Sequence, residues 1–95
     1  MREARAWEVA RRAAALLVSR FGATRVVVFG SLARPDAFTP WSDVDIAAWG
    51  LQPRDTFAAV AALLGLDSEI EVNLVDVGAC SPELLAAIES EGRAL

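Results

Sequence analysis

Asp43 and Asp45 stand two residues apart in the run SDVDIAAWG, which otherwise reads as a buried strand. Alternate residues of an extended chain share a face, so both carboxylates project the same way, with α-carbons roughly 6.5–7 Å apart. Like charges at that spacing repel, and burial adds a desolvation cost of several kcal/mol for each. A divalent cation removes both problems. Hard Mg²⁺ takes carboxylate oxygens together with substrate phosphates, and a pair of such ions can activate an attacking oxygen while stabilising a leaving one. Upstream, the run RVVVF ends in Gly30 and Ser31. Gly30 allows a sharp turn at the end of a strand, and the N–H groups from Ser31 onward open a short helical turn suited to a phosphate. Arg34, one turn further on, either adds a cation beside that anion, stays in solvent or forms a structural salt bridge. The bland reading of the two aspartates is a solvated edge-strand face.

The elements that must position these residues follow from periodicity. Residues 2–21 predict an amphipathic helix, since Trp7, Ala10, Ala14, Leu17 and Phe21 recur at spacings of three and four while Arg5, Glu8, Arg12 and Arg20 take other faces. Gly22 is its expected C-cap. Arg25–Gly30 is a short β-branched run, suited to a strand buried on both faces. SLARPDAFTPWS reads as a helical turn and then a loop. Asp43–Trp49 predicts a second strand. Pro53 opens a helix expected to turn Phe57, Val60, Ala61 and Leu64 inward and to stop at Gly65. A third strand is expected over about Glu69–Val75, with Ile70, Val72 and Leu74 on one face and Glu69, Glu71 and Asn73 on the other. Ser81 and Pro82 cap a last helix running to about Glu91. This order predicts an α/β (α+β) fold, a small mixed sheet flanked by helices, in a single domain over residues 1–95.

Composition narrows the chemistry. The 95 residues are 55% hydrophobic and 23% charged, enough for one core without a disulfide or structural zinc. The lone cysteine, Cys80, and the absence of a signal-peptide pattern point to a soluble protein of a reducing cytoplasm, and no apolar run approaches a membrane span. Net charge is −4, with nine arginines and thirteen acids, so extended nucleic acid is an unsuitable partner while a single nucleotide is feasible. There is no histidine, so acid/base or metal chemistry must rest on carboxylates. Trp7 fits the core stripe. Trp41 and Trp49 flank the acidic strand, where packing is the expectation and stacking on a base the alternative. Glu69 and Glu71 read as solvated strand positions, and Cys80 as inert.

GSLAR followed by SDVDIA resembles the minimal nucleotidyltransferase (MNT) domain of the polymerase-β-like nucleotidyltransferase superfamily, whose pattern is Gly-Ser, about ten residues, then Asp-x-Asp. The resemblance extends over the whole chain and implies the fold of that superfamily. It implies that Asp43 and Asp45 bind Mg²⁺, two ions in all, that Gly30, Ser31 and Arg34 hold the triphosphate of ATP, and that AMP is transferred to a hydroxyl while pyrophosphate leaves. It further implies a HEPN-family protein as partner, in a toxin–antitoxin pair in which the MNT protein adenylylates a tyrosine of the toxin. This chain has no tyrosine of its own to modify, and with a single domain expected, a protein acceptor is expected rather than a small molecule.

Three departures from the pattern stand out. Eleven residues separate Ser31 from Asp43, and Pro35 stands where the family often has Gly. Asn73 occupies the usual place of a third aspartate. An amide brings no charge to a metal and cannot take a proton, and losing a general base typically costs about 10²–10⁴ in rate. Glu71, two residues earlier on the same face, could reach toward the metals, whereas Asp76 falls on the opposite face. Two functions therefore stay open: an AMP-transferring enzyme, or an antitoxin or nucleotide-binding module that acts by contact.

Overall fold

The computed structural model describes residues 2–95. A four-stranded sheet has the order β3-β2-β1-β4, with β1 (Arg25–Phe29), β2 (Val44–Trp49), β3 (Val72–Asp76) and β4 (Arg93–Ala94). β1 runs antiparallel to both β2 and β4, and β2 runs parallel to β3. The parallel pair needs a crossover, supplied by a 3₁₀ turn at Pro53–Asp55 and helix α2 (Thr56–Leu64). Helix α1 (Arg2–Phe21) precedes the sheet, and α3 (Pro82–Glu91) lies between β3 and β4.

Strand alternation separates two cores. Val26, Val28, Val44, Ile46, Ala48 and Val72 pack with α1 and α2. Val27 and Ala47 face the other way, against Ile88 of α3, with Phe29, Trp49 and Val75 half-buried around them. The expected stripe of α1 is the buried one: Ala10, Ala14 and Leu17 are buried, and Trp7 and Phe21 pack half-buried beside them. Gly22 ends the helix in the left-handed region (φ +72°), its N–H donating to the Val18 carbonyl at 3.2 Å. Ser81 caps α3, its hydroxyl accepting from the Leu84 N–H at 3.2 Å.

Three expectations need correction. The third strand starts at Val72 rather than near Glu69, because the N–H groups of Glu69 and Ile70 donate to Asp67 Oδ1 at 2.8 and 2.9 Å instead of to a ladder. Arg5 holds the other Asp67 oxygen at 3.0 Å. In α2 the buried residues are Ala59 and Leu63, while Phe57 is 90% exposed, and Leu64 and Ala61 are exposed too. The segment TFAAVAALL is apolar on every side, so periodicity does not select its inner face. β4 went unforeseen: Arg93 and Ala94 pair with Val28 and Val27, a two-residue strand with no β-branched signal. Among the described residues, no helix is long and apolar enough to cross a membrane.

Candidate functional site

The sheet register brings the predicted residues into one row. Phe29 of β1 pairs with Asp45 of β2, and Asp45 pairs with Asn73 of β3. All three lie on the sheet face that carries α3. Asp43, one residue ahead of β2, continues the same alternation, and the neighbouring Val44 N–H donates to the Glu71 carbonyl at 2.9 Å, joining the starts of β2 and β3.

β1 ends beside these carboxylates at Gly30, whose φ of +71° is open to glycine at little cost. The position is also closed sterically, since a Cβ there would collide with Asp45 Oδ2. The Gly30 backbone and the Asp45 carboxylate are thus packed directly against each other. From Gly30 the chain enters a 3₁₀ turn, Gly30–Ala33, anchored by buried Leu32 and Ala33, with Ser31 half-buried at its start. Arg34 follows as an exposed side chain, its N–H donating to the Ser31 carbonyl at 3.3 Å. Among the described residues it has no ion-pair partner, so the structural salt bridge is not formed.

Asn73 supplies the feature sequence reasoning missed. Its side-chain Nδ2 donates to Asp43 Oδ2 at 3.3 Å and to Asp45 Oδ1 at 3.4 Å. Facing two carboxylates, only the donor end of an amide fits. Burial pushes the Asp45 carboxyl above its usual range; the Asn73 bond opposes that shift and the charge of Asp43 adds to it. Alternation alone places Asn73 on the carboxylate face, but pairing across β2 and β3 decides that it reaches both.

Neither alternative acid joins the row. Glu71 lines a cavity of about 320 Å³ whose other walls are Leu64, Asp67, Ser68, Glu69 and Ile70. Asp76 lies on the opposite face, accepting from Thr56 Oγ1 at 3.3 Å and from the Gly78 N–H at 3.0 Å. No group of three or more His, Cys, Asp or Glu side chains gathers around one point among the described residues. The donor set is therefore two carboxylates and one amide. With the amide turned to present Oδ1, all its ligand atoms are oxygens, which suits one hard divalent cation whose remaining shell comes from water and phosphate.

A profile of the nucleotidyltransferase domain matches residues 10–90. The chain belongs to this family. Its fold is shared with the solved structure of a minimal nucleotidyltransferase at 30% identity and TM-score 0.71, over 95% of each chain. A chain of the toxin–antitoxin pair MntA–HpeT, bearing two aspartate-to-glutamate substitutions two residues apart, is similar at 18% identity and TM-score 0.62, over 99% of this chain and 72% of that one. A chain of the complex between the tri-AMPylated HEPN toxin of Shewanella oneidensis and its MNT antitoxin is similar at 20% identity and TM-score 0.56, over 97% of this chain and 66% of that one. No curated protein matches. The four-stranded mixed sheet with its flanking helices is thus the nucleotidyltransferase fold expected from the sequence.

Proposed function

We propose that this nucleotidyltransferase domain transfers AMP from Mg-ATP to a hydroxyl of a HEPN-type protein and thereby acts as an antitoxin. The observation that supports the proposal is the packing of the Gly30 backbone turn against the Asp45 carboxylate, with Asp43 two residues before Asp45. The HEPN partner is inferred from the complexes in which similar chains occur.

In this reading Gly30 and Ser31 hold the triphosphate through backbone N–H groups, and exposed Arg34 adds positive charge beside it. Asp43 and Asp45 would hold the cation, and Asn73 would add its amide oxygen as a third ligand once its side chain has flipped; a second ion would draw its remaining ligands from phosphate and water. Bound Mg²⁺ would neutralise the charge that develops on the phosphates. The acceptor oxygen attacks the α-phosphorus, the bond from that phosphorus to the bridging oxygen breaks, and pyrophosphate departs. Asn73 cannot take the hydroxyl proton. An oxygen of Asp43 or Asp45 on the acceptor side takes it instead, a slower arrangement than a dedicated base.

The Asn73 bonds favour a second reading as well, a domain that keeps the binding surface and neutralises its partner by contact. One experiment separates the two. The chain is incubated with Mg-ATP and a cognate HEPN protein, and the partner is weighed by mass spectrometry. A mass gain of one or more AMP, abolished by Asp43→Asn, supports the transferase. A tight complex without adduct, with activity appearing in Asn73→Asp, supports the contact reading.

A further inference from the structure

The packing expected for the two tryptophans beside the acidic strand holds for one of them. Trp49 is half-buried in the core under α3, with the Arg25 guanidinium 4.3 Å from its ring centre. Trp7, in the core stripe of α1, is covered in the same way by Arg93 at 5.0 Å. Trp41 is 89% exposed, and among the described residues no guanidinium lies over its ring.

Its backbone, by contrast, is tightly held. The Ser42 N–H donates to the Thr39 carbonyl at 3.0 Å, and the Thr39 N–H donates to Ser42 Oγ at 3.0 Å. The two hydroxyls share a hydrogen bond of 3.1 Å, and the Trp41 N–H donates to Thr39 Oγ1 at 3.2 Å. Pro40 fixes a further dihedral within the same turn. The backbone that carries this exposed indole is thus ordered in advance of any ligand, so using it costs side-chain entropy but little backbone entropy.

The position of the turn indicates what it serves. The loop that carries Trp41 starts at the Gly30/Ser31 turn and ends at Asp43, so both of its ends are site residues. Trp41 is two residues from Asp43, at most about 7 Å between α-carbons. The loop's other large aromatic, Phe38, is half-buried against the main core. In the nucleotide site proposed above, this loop therefore adjoins both the phosphate turn and the carboxylates.

We propose that Trp41 is the stacking platform for the nucleotide base. The inference rests on the nucleotide site proposed above and adds to it the residue that recognises the base. Stacking on an indole tolerates any base, so Trp41 contributes affinity for nucleotides over bare polyphosphate without selecting adenine.

The test measures binding of Mg-ATP, Mg-GTP and Mg-tripolyphosphate by calorimetry to wild type, Trp41→Ala and Trp41→Phe, with urea midpoints confirming that the variants are folded. Trp41→Ala is expected to weaken both nucleotides about 5- to 150-fold, to leave tripolyphosphate unchanged, and to regain most affinity as Trp41→Phe. ATP should also quench wild-type tryptophan emission, and the quench should vanish in Trp41→Ala although Trp7 and Trp49 remain. Unchanged nucleotide affinity in Trp41→Ala overturns the proposal, and if affinity for a HEPN protein falls instead, the indole belongs to the partner surface. Equal weakening of ATP and tripolyphosphate also overturns it. If wild type binds neither ligand, the nucleotide site itself is wrong and the platform falls with it.

Discussion

Asn73→Asp is the perturbation whose size follows most directly from the site. In the wild-type protein one amide nitrogen sits 3.3 Å from Asp43 Oδ2 and 3.4 Å from Asp45 Oδ1. The substitution turns two N–H to carboxylate contacts into two contacts between carboxylates. At about 3.4 Å a pair of unit charges repels by about 1.2 kcal/mol in bulk water and about 5 kcal/mol at an effective dielectric of about 20. These side chains are half-buried and the new carboxylate can swing away, so the lower figure is the better guide for each pair. Two hydrogen bonds to charged acceptors are lost as well; such bonds contribute about 1.5–3 kcal/mol each at good geometry, less when long. The expected loss without metal at pH 7 is about 3–5 kcal/mol, a large part of the roughly 5–15 kcal/mol that stabilises a typical domain. Repulsion raises the proton affinity of the cluster, so the repulsive part of the penalty is absent below the ordinary carboxylate pKa of about 3.9 and grows as pH rises above it. Urea unfolding with and without Mg²⁺, at pH 5 and pH 7, measures each component. Mg²⁺ at a hundred times the variant's Kd should stabilise the variant by about 2.7 kcal/mol, and wild type by less at the same concentration. A variant as stable as wild type without metal, and no more responsive to it, would refute the claim that the amide holds the two carboxylates together.

Gly30→Ala should cost about 1–2 kcal/mol for its left-handed backbone and, by displacing Asp45, should also abolish stabilisation by Mg²⁺. Gly22→Ala is the control in urea unfolding: it carries a similar φ with no atom within 4 Å of the new Cβ, so it should lose stability yet keep its response to Mg²⁺. Asp45→Asn tests the pH dependence. Because burial and Asp43 together raise the Asp45 pKa on folding, its ionisation costs stability as pH climbs from about 3.9 through the raised folded value. Metal-free stability measured from pH 4 to pH 8 should therefore shift in favour of the variant as pH rises, and a pH-independent difference would contradict the assignment.

Most of the fold was legible where one physical signal acted alone. The α1 stripe, the left-handed Gly22 and the Ser81 cap each follow from local chemistry, and the structure reproduces them. Legibility failed where two signals competed. In α2 the apolar residues surround the axis, so packing against α1 and β3 chose Ala59 and Leu63 while periodicity offered Phe57 and Leu64. Before β3, alternation from Glu69 onward promised a longer strand, but the Asp67 carboxylate captured the first two donors. At the site, the spacing of Asp43 and Asp45 and the glycine at the end of β1 could be read from the chain. That Gly30 lies against Asp45, and that Asn73 bonds to both acids, are properties of strand register, which sets Asp45 between Phe29 on one side and Asn73 on the other. Trp41 was misjudged for a related reason: an indole between Pro40 and a strand resembles core until the turn that lifts it out is seen.

The pairing of Phe29 with Asp45 also determines what the loop between them is free to do. Ladder hydrogen bonds, rather than the span of the intervening chain, set the distance from the Gly30 turn to the carboxylates. Loop length is therefore an adjustable quantity, and each doubling adds only about 0.6 kcal/mol of closure entropy. The eleven-residue spacer needs no compensation elsewhere in the sheet. Residues inserted near exposed Asp36, where the chain already bends through φ +59°, would lengthen the loop while the β1–β2 ladder keeps the Gly30 turn beside Asp45.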